Sequence, residues 1–234
     1  MAGVGQRFID SGYDKPKPMI DVCGVPMIKR VIDSLTAKKV DCNFIFIALQ
    51  EHLDNGLQEY LESYGTIIPL DVVTEGAACT TLMALKEINN DDPFIIANCD
   101  QYLEWDLDDY IDKATGTDGC VVVFNSTNPH HSYAKVKQQR VVQVAEKIVI
   151  SDKACAGIYY YKKGADYIES VVMMIAKNIR TNNEFYIAPA YNELIEHGGL
   201  VTVYEIDVNK KHMLGTPYEL EIFLDKVENG EVVV

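Results

Sequence analysis

The sequence predicts an α/β protein in three layers, with helices on both faces of a mostly parallel central sheet. Two kinds of segment alternate along the first hundred residues and support this class. Residues 43–49 and 94–98 are short, nearly unbroken apolar runs, which are typical of parallel strands covered on both faces. Residues 27–35 instead have apolar side chains at helical spacing. Strands that alternate with helices form parallel sheets with a helical layer on each side.

The remaining elements follow from the same two patterns. Helices are predicted at residues 54–64, 77–88, 164–177, 184–197 and 217–227. Strands are predicted at residues 67–73, 120–124, 133–137, 141–145, 156–161 and 200–206. Because no repeat, low-complexity tract or linker interrupts the chain, we expect one domain over residues 1–234, with a change of pattern between 1–118 and 119–234. The acidic run at 106–112 indicates a solvated face. The tail at 229–234 can pair with a sheet edge or with a partner subunit, and a homo-oligomer is therefore one expectation.

Composition excludes several classes of partner. A net charge of −14 over 234 residues argues against a nucleic-acid surface, which needs a basic stripe. The six cysteines are scattered without a Cys-x-x-Cys pair, which favours reduced thiols over disulfides or zinc ligands. The sequence has no apolar run long enough to span a bilayer. We therefore expect a cytoplasmic protein with neither nucleic acid nor membrane as a partner.

The first 19 residues contain the most informative motif. Residues 2–8 read Ala-Gly-Val-Gly-Gln-Arg-Phe, and residues 15–19 read Lys-Pro-Lys-Pro-Met. Two glycines let the backbone fold tightly and bring its N–H groups close to an anion, while Arg7 and Lys17 add fixed positive charge. The motif is neither a dinucleotide fingerprint, because Phe8 stands where the third glycine would fall, nor a Walker loop, because the Gly-Lys-Ser/Thr ending is absent.

This combined motif resembles the signature of the sugar-phosphate nucleotidyltransferases, Ala-Gly-x-Gly-x-Arg-Phe followed by Lys-Pro-Lys-Pro-Leu/Met. Those enzymes join a nucleoside triphosphate to a phosphorylated small molecule and release pyrophosphate. The resemblance implies a Rossmann-like, GT-A-type fold, with catalytic roles for Arg7 and Lys17. It assigns nucleotide binding to the loop residues Ala2, Gly3 and Gly5.

The resemblance also bears on where the chain starts. In that family a buried strand leads directly into the glycine loop, whereas here Met1 lies almost on the loop itself. We therefore expect the coding sequence to start upstream, at a first strand that is missing from this chain. The resemblance further implies that residues 1–118 bind the nucleotide and that residues 119–234 bind the acceptor.

Asp100 ends the predicted strand at 94–98, and ligands of open α/β sheets bind beyond the carboxyl ends of the strands. A carboxylate there can hold Mg²⁺, and the resemblance implies that Asp100 does so; a helix N-cap is the alternative. Thymidylyltransferases of the family complete the metal site with an aspartate two residues before a Gly-Thr-Pro glycine, but here that position holds Met213. Asp207 is the nearest upstream carboxylate and is only a weak candidate for the second ligand.

A second segment with nucleotide-binding character is Thr-Glu-Gly-Ala at residues 74–77. Small residues there permit a flat base to lie against the backbone, and similar segments contact the base in the resembled enzymes. The resemblance thus implicates Thr74, Gly76 and Ala77. The alternative is simple helix initiation, with Thr74 as the N-cap.

The acceptor site is implied by two later segments. Glu146 and Lys147 end a strand and precede Gly157, as in the family pattern where the carboxylate accepts sugar hydroxyls and the lysine pairs with a phosphate. Glu184 and Tyr186, in Asn-Asn-Glu-Phe-Tyr, are weaker candidates. The alternatives are a solvated Glu-Lys pair and an ordinary helix start at Glu184.

The sequence therefore predicts a magnesium-dependent nucleotidyltransferase that acts on a nucleoside triphosphate and a phosphorylated acceptor. The Leu-Gly-Thr-Pro and Asn-Cys-Asp-Gln segments resemble small enzymes of capsule and surface-polysaccharide synthesis, which slightly favours CTP or UTP. Two alternatives stay open. A glycosyltransferase can share this architecture, although it usually has an Asp-x-Asp metal motif, and Met213 is compatible with a nucleotide-binding protein of impaired activity.

Overall fold

A computed structural model describes residues 1–234 as ten α-helices and twelve strands. The helices are α1 Gln6–Asp10, α2 Met27–Ser34, α3 Gln50–His52, α4 Gln58–Leu61, α5 Ala77–Leu82, α6 Leu85–Ile88, α7 Leu107–Ala114, α8 Gly164–Ala176, α9 Ala190–Glu196 and α10 Pro217–Glu228. The strands are β1 Asp21–Val22, β2 Val25–Pro26, β3 Phe44–Leu49, β4 Gly65–Leu70, β5 Phe94–Ala97, β6 Gln101–Leu103, β7 Gly119–Asn125, β8 Ser132–Lys137, β9 Arg140–Glu146, β10 Lys153–Tyr161, β11 Val201–Glu205 and β12 Lys211–Met213. No helix combines the length and the apolar character needed to cross a membrane.

The chain divides into two compact units, and each is built from separate stretches of sequence. The first unit comprises Met1–Val73, Asn98–Asp108 and Asn209–Val234. The second unit comprises Thr74–Ala97 and Asp109–Val208. This division does not coincide with the boundary expected after residue 118. It places the predicted base-contacting segment in the same unit as the predicted acceptor residues.

The second unit contains the central sheet, in the order β11-β7-β10-β8-β9, with β5 also paired to β10. The prediction of an α/β protein with a central sheet is confirmed, but the expectation of mostly parallel pairing is corrected. Only β11 and β7 are parallel within this sheet, and the pairs of β10 with β5, β7 and β8 are antiparallel. The reason is local at β8 and β9, where Gln138 and Gln139 both take positive φ and close a tight hairpin.

Buried tyrosines form part of the core behind this sheet. Tyr161 on β10 stacks on Tyr191 of α9 with ring centres 4.5 Å apart, and it meets Tyr167 of α8 edge-on at 4.9 Å. The Tyr191 hydroxyl donates to the carbonyl of Tyr160 at 2.8 Å. Because all three rings are fully buried, they fix α8 and α9 against β10, the strand that carries Gly157.

The first unit holds the parallel pair β3–β4, the antiparallel pair β6–β12 and the β1–β2 hairpin. One hydrophobic cluster packs α2 against β3. A second cluster joins the start and the end of the chain, with the members Phe8, Ile20, Val22, Met27, Leu214, Leu220, Phe223 and Val232. This second cluster brings α1 and α10 together around the segments that carry Lys17 and Asp100. The backbone of Met1 lies beside β3, and its amino group donates to the carbonyl of Ile47 at 2.8 Å; the upstream strand stays a prediction.

Three predicted helices differ from the observed ones for identifiable reasons. The helix predicted at 54–64 is replaced by a π-helical turn, Leu53–Leu57, followed by α4, because Gly56 takes a φ of 93°. The helix predicted at 77–88 is interrupted between α5 and α6. The helix predicted from residue 184 begins only at Ala190, because Asn182 and Asn183 take positive φ and form a turn closed by a bridge between Thr181 and Glu184.

Candidate active site

The glycine loop is held against the segment that carries Lys17. Gly5 has a φ of 74°, and its carbonyl accepts the backbone N–H of Phe8 at 2.9 Å as α1 begins. A Cβ added to Gly5 would lie 3.1 Å from the Cβ of Lys17, so glycine permits both the backbone turn and the close approach. Phe8 is only 1% exposed and anchors α1 in the core. Arg7, by contrast, is exposed on α1, and in the loop Gly3 is exposed and Ala2 is half-buried.

Lys17 meets Asp100 across 83 residues of sequence. Its Nζ donates to Oδ2 of Asp100 at 2.7 Å and to the carbonyl of Gly215 at 3.1 Å. The ammonium also lies 5.7 Å from the ring centre of Phe8. The two side chains of the ion pair remain 17% and 26% exposed, so an entering anion can reach them. The fold thus brings together two of the residues that the motifs single out.

Asp100 does not act as a helix cap. It precedes the strand β6, and its carbonyl accepts the backbone N–H of Leu214 at 2.8 Å. The cap alternative is therefore wrong, and the carboxylate is left to Lys17. Gln101, the next residue, is 2% exposed, and neither polar atom of its side chain has a hydrogen-bond partner.

A second pair of charges, which the sequence interpretation missed, lies near this ion pair. A Cβ added to Gly215 would lie 3.2 Å from Oδ2 of Asp100 and 3.1 Å from Oε2 of Glu219. Thr216 caps α10 by accepting the N–H of Glu219 at 3.2 Å, and its hydroxyl donates to Oε2 at 3.0 Å. Burial lowers the pKa of Lys211 to about 8, while the charges of Asp100 and Glu219 oppose that change. Its Nζ lies 2.6 Å from the sulfur of Met213.

The residues around Asp100 fit a magnesium ion. The chain has no group of three or more His, Cys, Asp or Glu side chains arranged to hold a metal. Mg²⁺, however, is commonly held by one or two carboxylates together with substrate phosphates and water. The glycine at 215 keeps free a space beside two carboxylate oxygens that a Cβ would fill. Asp207, the weak candidate, is exposed and belongs to the second unit.

In the second unit, residues 74–77 are fastened to the chain around Phe185. The backbone N–H of Phe185 donates to Glu75 at 2.8 Å, and the N–H of Ala78 donates to Phe185 at 3.0 Å. Gly76 has φ 126° and ψ 171°, and a Cβ there would lie 2.5 Å from the carbonyl oxygen of Phe185. The contact with Phe185 therefore already requires glycine. Arg180 completes this junction, because its guanidinium pairs with Glu75 at 2.6 Å and lies 3.9 Å from the Phe185 ring centre.

Thr74 and Ala77 frame the same junction. The Thr74 hydroxyl donates to the carbonyl of Gly76 at 3.0 Å and lies 2.7 Å from the hydroxyl of Thr80. It is not the N-cap, because α5 is preceded by Gly76 and has no side-chain cap. The alternative of Thr74 as a helix cap is therefore wrong, whereas its assignment to nucleotide binding stays a prediction. Ala77, the first residue of α5, is exposed.

The predicted acceptor residues Glu146 and Lys147 lie at the end of β9, and neither is a free surface group. Glu146 is 6% exposed and accepts a hydrogen bond from the hydroxyl of Ser132 on β8. Burial raises the pKa of Glu146, and the Ser132 hydroxyl opposes that rise. The Nζ of Lys147 donates to the Tyr186 hydroxyl at 2.5 Å and lies 4.5 Å from that ring centre. This hydrogen bond raises the pKa of Lys147.

Gly157 and Glu184 complete the predicted acceptor set. Gly157 takes a φ of 75° where the pairing of β10 with β7 shifts register between Cys155 and Tyr159, so it forms a β-bulge. Glu184 is exposed in the turn that follows Asn183, and its charge opposes ionisation of Glu146. The second unit thus gathers carboxylates, an ammonium and a phenol, which are groups that can bind hydroxyls and a phosphate.

Comparison with known proteins gives a consistent result. A family model described as the MobA-like NTP transferase domain matches residues 1–159. Mannose-1-phosphate guanyltransferase of Hypocrea jecorina is 26% identical over 173 residues, which cover 69% of this chain and 48% of that protein. Probable mannose-1-phosphate guanylyltransferase 2 of Oryza sativa subsp. japonica is 26% identical over 195 residues, which cover 76% and 53% of the two chains. The chain therefore spans about half the length of the curated relatives it matches.

Solved structures resemble the whole chain. The nucleoside-diphosphate-sugar pyrophosphorylase of Vibrio cholerae RC9 has a TM-score of 0.87 and 28% identity, covering 96% of this chain and 98% of that one. The inositol-1-phosphate CTP transferase of T. maritima has a TM-score of 0.74 over 100% of this chain and 95% of that one. Since its identity is 15%, this second match concerns the fold alone.

Proposed function

This chain belongs to the family of MobA-like NTP transferase domains, and we propose that it joins a nucleoside triphosphate to a sugar phosphate with release of pyrophosphate. The observation that carries the proposal is the ion pair between Lys17 and Asp100. It unites a cation of the glycine-loop motif with the acid at the end of the Asn-Cys-Asp segment, 83 residues later. Names of relatives and structural neighbours, which refer to guanyltransferases and a sugar pyrophosphorylase, support the same reaction.

The reaction needs no protein nucleophile. An oxygen of the acceptor's phosphate monoester is already anionic, so it attacks the α-phosphorus in line. A bond forms between that oxygen and the α-phosphorus, the bond from the α-phosphorus to the bridging oxygen breaks, and the electron pair leaves with pyrophosphate. The barrier is repulsion between two anions together with the charge that develops on pyrophosphate. Fixed positive charge and alignment therefore supply the catalysis.

In the first unit, Lys17 supplies this charge when it exchanges Asp100 for a phosphate oxygen. The backbone amides of the glycine loop and the exposed Arg7 guanidinium bind the remaining phosphate oxygens. A magnesium ion held by Asp100 would supply further charge neutralisation at the leaving phosphates. In the second unit, Glu146 accepts sugar hydroxyls, Lys147 binds the acceptor phosphate, and the segment from Thr74 to Ala77 contacts the base.

The proposal extends to the identity of the nucleotide and of the acceptor. We propose CTP or UTP as the nucleotide, on the resemblance of the Leu-Gly-Thr-Pro and Asn-Cys-Asp-Gln segments to capsule-type enzymes, and a role in making activated precursors of surface polysaccharide. GTP belongs in the same test because the curated relatives are named guanyltransferases. Purified protein is mixed with CTP, UTP, GTP or dTTP and a panel of sugar phosphates, with mannose 1-phosphate included, and released pyrophosphate is measured with and without Mg²⁺.

Variants connect the assay to the site. Lys17→Ala and Arg7→Ala are each expected to lower turnover by roughly two to three orders of magnitude, the usual effect of removing a charge that stabilises a transition state. Asp100→Asn should abolish Mg²⁺-dependent turnover. Lys15→Ala is the matched control, since Lys15 is exposed in the same segment. Nucleotide binding without pyrophosphate release from any acceptor would indicate the impaired binding protein, and release of nucleoside diphosphate from a nucleotide sugar would indicate a glycosyltransferase.

A further inference from the structure

Lys211 is a largely buried lysine to which the mechanism above gives no task. It begins β12, which pairs with β6 directly after Asp100, so its backbone is fixed in the first unit. Burying an ammonium is costly unless opposite charges compensate it. Asp100 directly precedes the paired strand β6, and Glu219 lies with it beside Gly215; both charges favour the ionised form of Lys211.

The position of Lys211 coincides with the place where this chain departs from the motif. The resembled thymidylyltransferases have a metal-binding aspartate at the position that Met213 occupies here. Lys211 and Met213 are two residues apart on one strand, so their side chains share a face. The ammonium contacts the methionine sulfur at 2.6 Å. Where the motif places a negative charge, this chain therefore places a positive one nearby.

The charges of this cluster add up to neutrality. Two carboxylates, Asp100 and Glu219, both lie beside Gly215; Lys17 pairs with Asp100, and both carboxylates favour the ionised form of Lys211. Without Lys211 the cluster would carry a net negative charge. Such a cluster would attract a divalent cation in the absence of substrate and would repel a triphosphate.

We propose that Lys211 is a positioning residue of the triphosphate site. Its charge balances those of Asp100 and Glu219, and it thereby supplies part of the positive charge that a metal ion would otherwise supply before the substrate binds. This inference rests on the proposed function, because it assumes that the site receives a triphosphate. The divalent cation then enters together with the nucleotide. A lysine that merely fills space beneath β12 would have no such effect, and its replacement would weaken every ligand alike.

The test compares two binding constants that the proposal moves in opposite directions. Mn²⁺ binding to the nucleotide-free protein is measured by electron paramagnetic resonance, and CTP, UTP and GTP binding in EDTA is measured by calorimetry. For Lys211→Met we expect Mn²⁺ to bind roughly tenfold more tightly and the triphosphate roughly tenfold more weakly, because one nearby charge is removed. Lys211→Arg keeps the charge and should retain both constants within about threefold. Lys210→Met is the control, since Lys210 is the exposed neighbour.

The two binding constants of Lys211→Met distinguish a positioning role from a merely structural one. Both constants weakening together in Lys211→Met, or neither differing from Lys210→Met, overturns the inference. Wild-type protein that binds the triphosphate but releases no pyrophosphate from any acceptor contradicts the proposed function alone, and the opposite shifts still support Lys211. Wild-type protein that binds no triphosphate overturns both. If Lys211→Met does not fold, as judged by circular dichroism, Lys211→Gln takes its place in the same comparison.

Discussion

Gly76→Ala is the substitution for which the structure gives the sharpest expectation. Gly76 has φ 126° and ψ 171°, a region of backbone space that is essentially restricted to glycine. A Cβ there would lie 2.5 Å from the carbonyl oxygen of Phe185 and 2.6 Å from its nitrogen. Both atoms belong to the backbone, so no side-chain rotation can relieve the contact. The segment from Glu75 to Ala78 must separate from Phe185.

The size of the effect follows from two contributions. Holding a non-glycine residue in this conformation costs about 1–3 kcal/mol. Separation also loses the hydrogen bonds from Phe185 to Glu75 and from Ala78 to Phe185, each worth about 1 kcal/mol. The expected loss in the free energy of unfolding is thus about 3–5 kcal/mol. For a chain of this length, each kcal/mol lowers Tm by about 2–4 °C, so Tm should fall by roughly 6–20 °C.

The assay is thermal unfolding followed by circular dichroism, with hydrogen exchange read at the amides of Ala78 and Phe185. Gly116→Ala is the matched control, because Gly116 has a φ of 94° but nothing within 4 Å of an added Cβ. It isolates the backbone cost of about 1–2 kcal/mol from the steric one. In Gly76→Ala alone, the two amides should lose their protection from exchange.

Equal Tm values for the two variants would refute this reasoning. A specific alternative result would also be informative. If Gly76 is required only because a base approaches its backbone, Gly76→Ala would keep the Tm of Gly116→Ala and lose only nucleotide affinity. The comparison therefore separates a packing requirement from a binding requirement at the same residue.

Three further predictions concern charged groups. The backbone N–H groups of Lys38 and Lys39 donate to Asp108 and lower its pKa. The ionised carboxylate therefore stabilises the fold above pH 3.8, and this stabilisation is lost as pH falls through the lowered pKa. In urea unfolding, Asp108→Asn should destabilise the protein at pH 7, and the difference from wild type should shrink below pH 3.8. Burial raises the pKa of Glu146, so wild-type stability should fall as pH rises above 4.5 through the folded value, and urea midpoints of Glu146→Gln should lack this fall. In steady-state pyrophosphate assays, Lys147→Met should raise the acceptor KM about ten- to hundredfold and leave the nucleotide KM within about twofold. The reason is that a hydrogen bond to a charged group contributes about 1.5–3 kcal/mol. An unchanged acceptor KM would contradict the proposal that Lys147 binds the acceptor phosphate.

Local chemistry explains which parts of the site could be predicted. The glycine loop with its two cations is a continuous motif. Asp100 follows an apolar run whose pattern alone predicts a strand. What the sequence could not indicate is that Lys17 and Asp100 form an ion pair in the absence of a ligand. That contact joins residues 83 apart in sequence, and it lies beside an apolar cluster that unites Phe8 with Leu214, from distant parts of the chain.

Other features were missed because they depend on burial. Lys211 stands in an Asn-Lys-Lys run that reads as a solvated loop, and β12, which buries it, is only three residues long, too short for a periodic pattern. Asp108 lies in an acidic run predicted to be solvated, yet it is 6% exposed because it accepts two backbone N–H groups. The helix predicted at 184–197 does not begin at residue 184. Asn182 and Asn183 take positive φ just before it, a conformation that asparagine tolerates and that competes with helix formation.

The contact of Lys17 with Gly215 spans 198 residues and has a consequence for biosynthesis. At about 5–20 residues per second, a ribosome needs roughly 10–40 s to translate the interval between them. During that time the nascent glycine loop lacks Gly215 and also lacks Leu214, Leu220, Phe223 and Val232, which belong to the same apolar cluster as Phe8. If the glycine loop binds nucleotide as proposed, the nascent polypeptide should bind none, and should offer exposed apolar surface to chaperones, until α10 has been made.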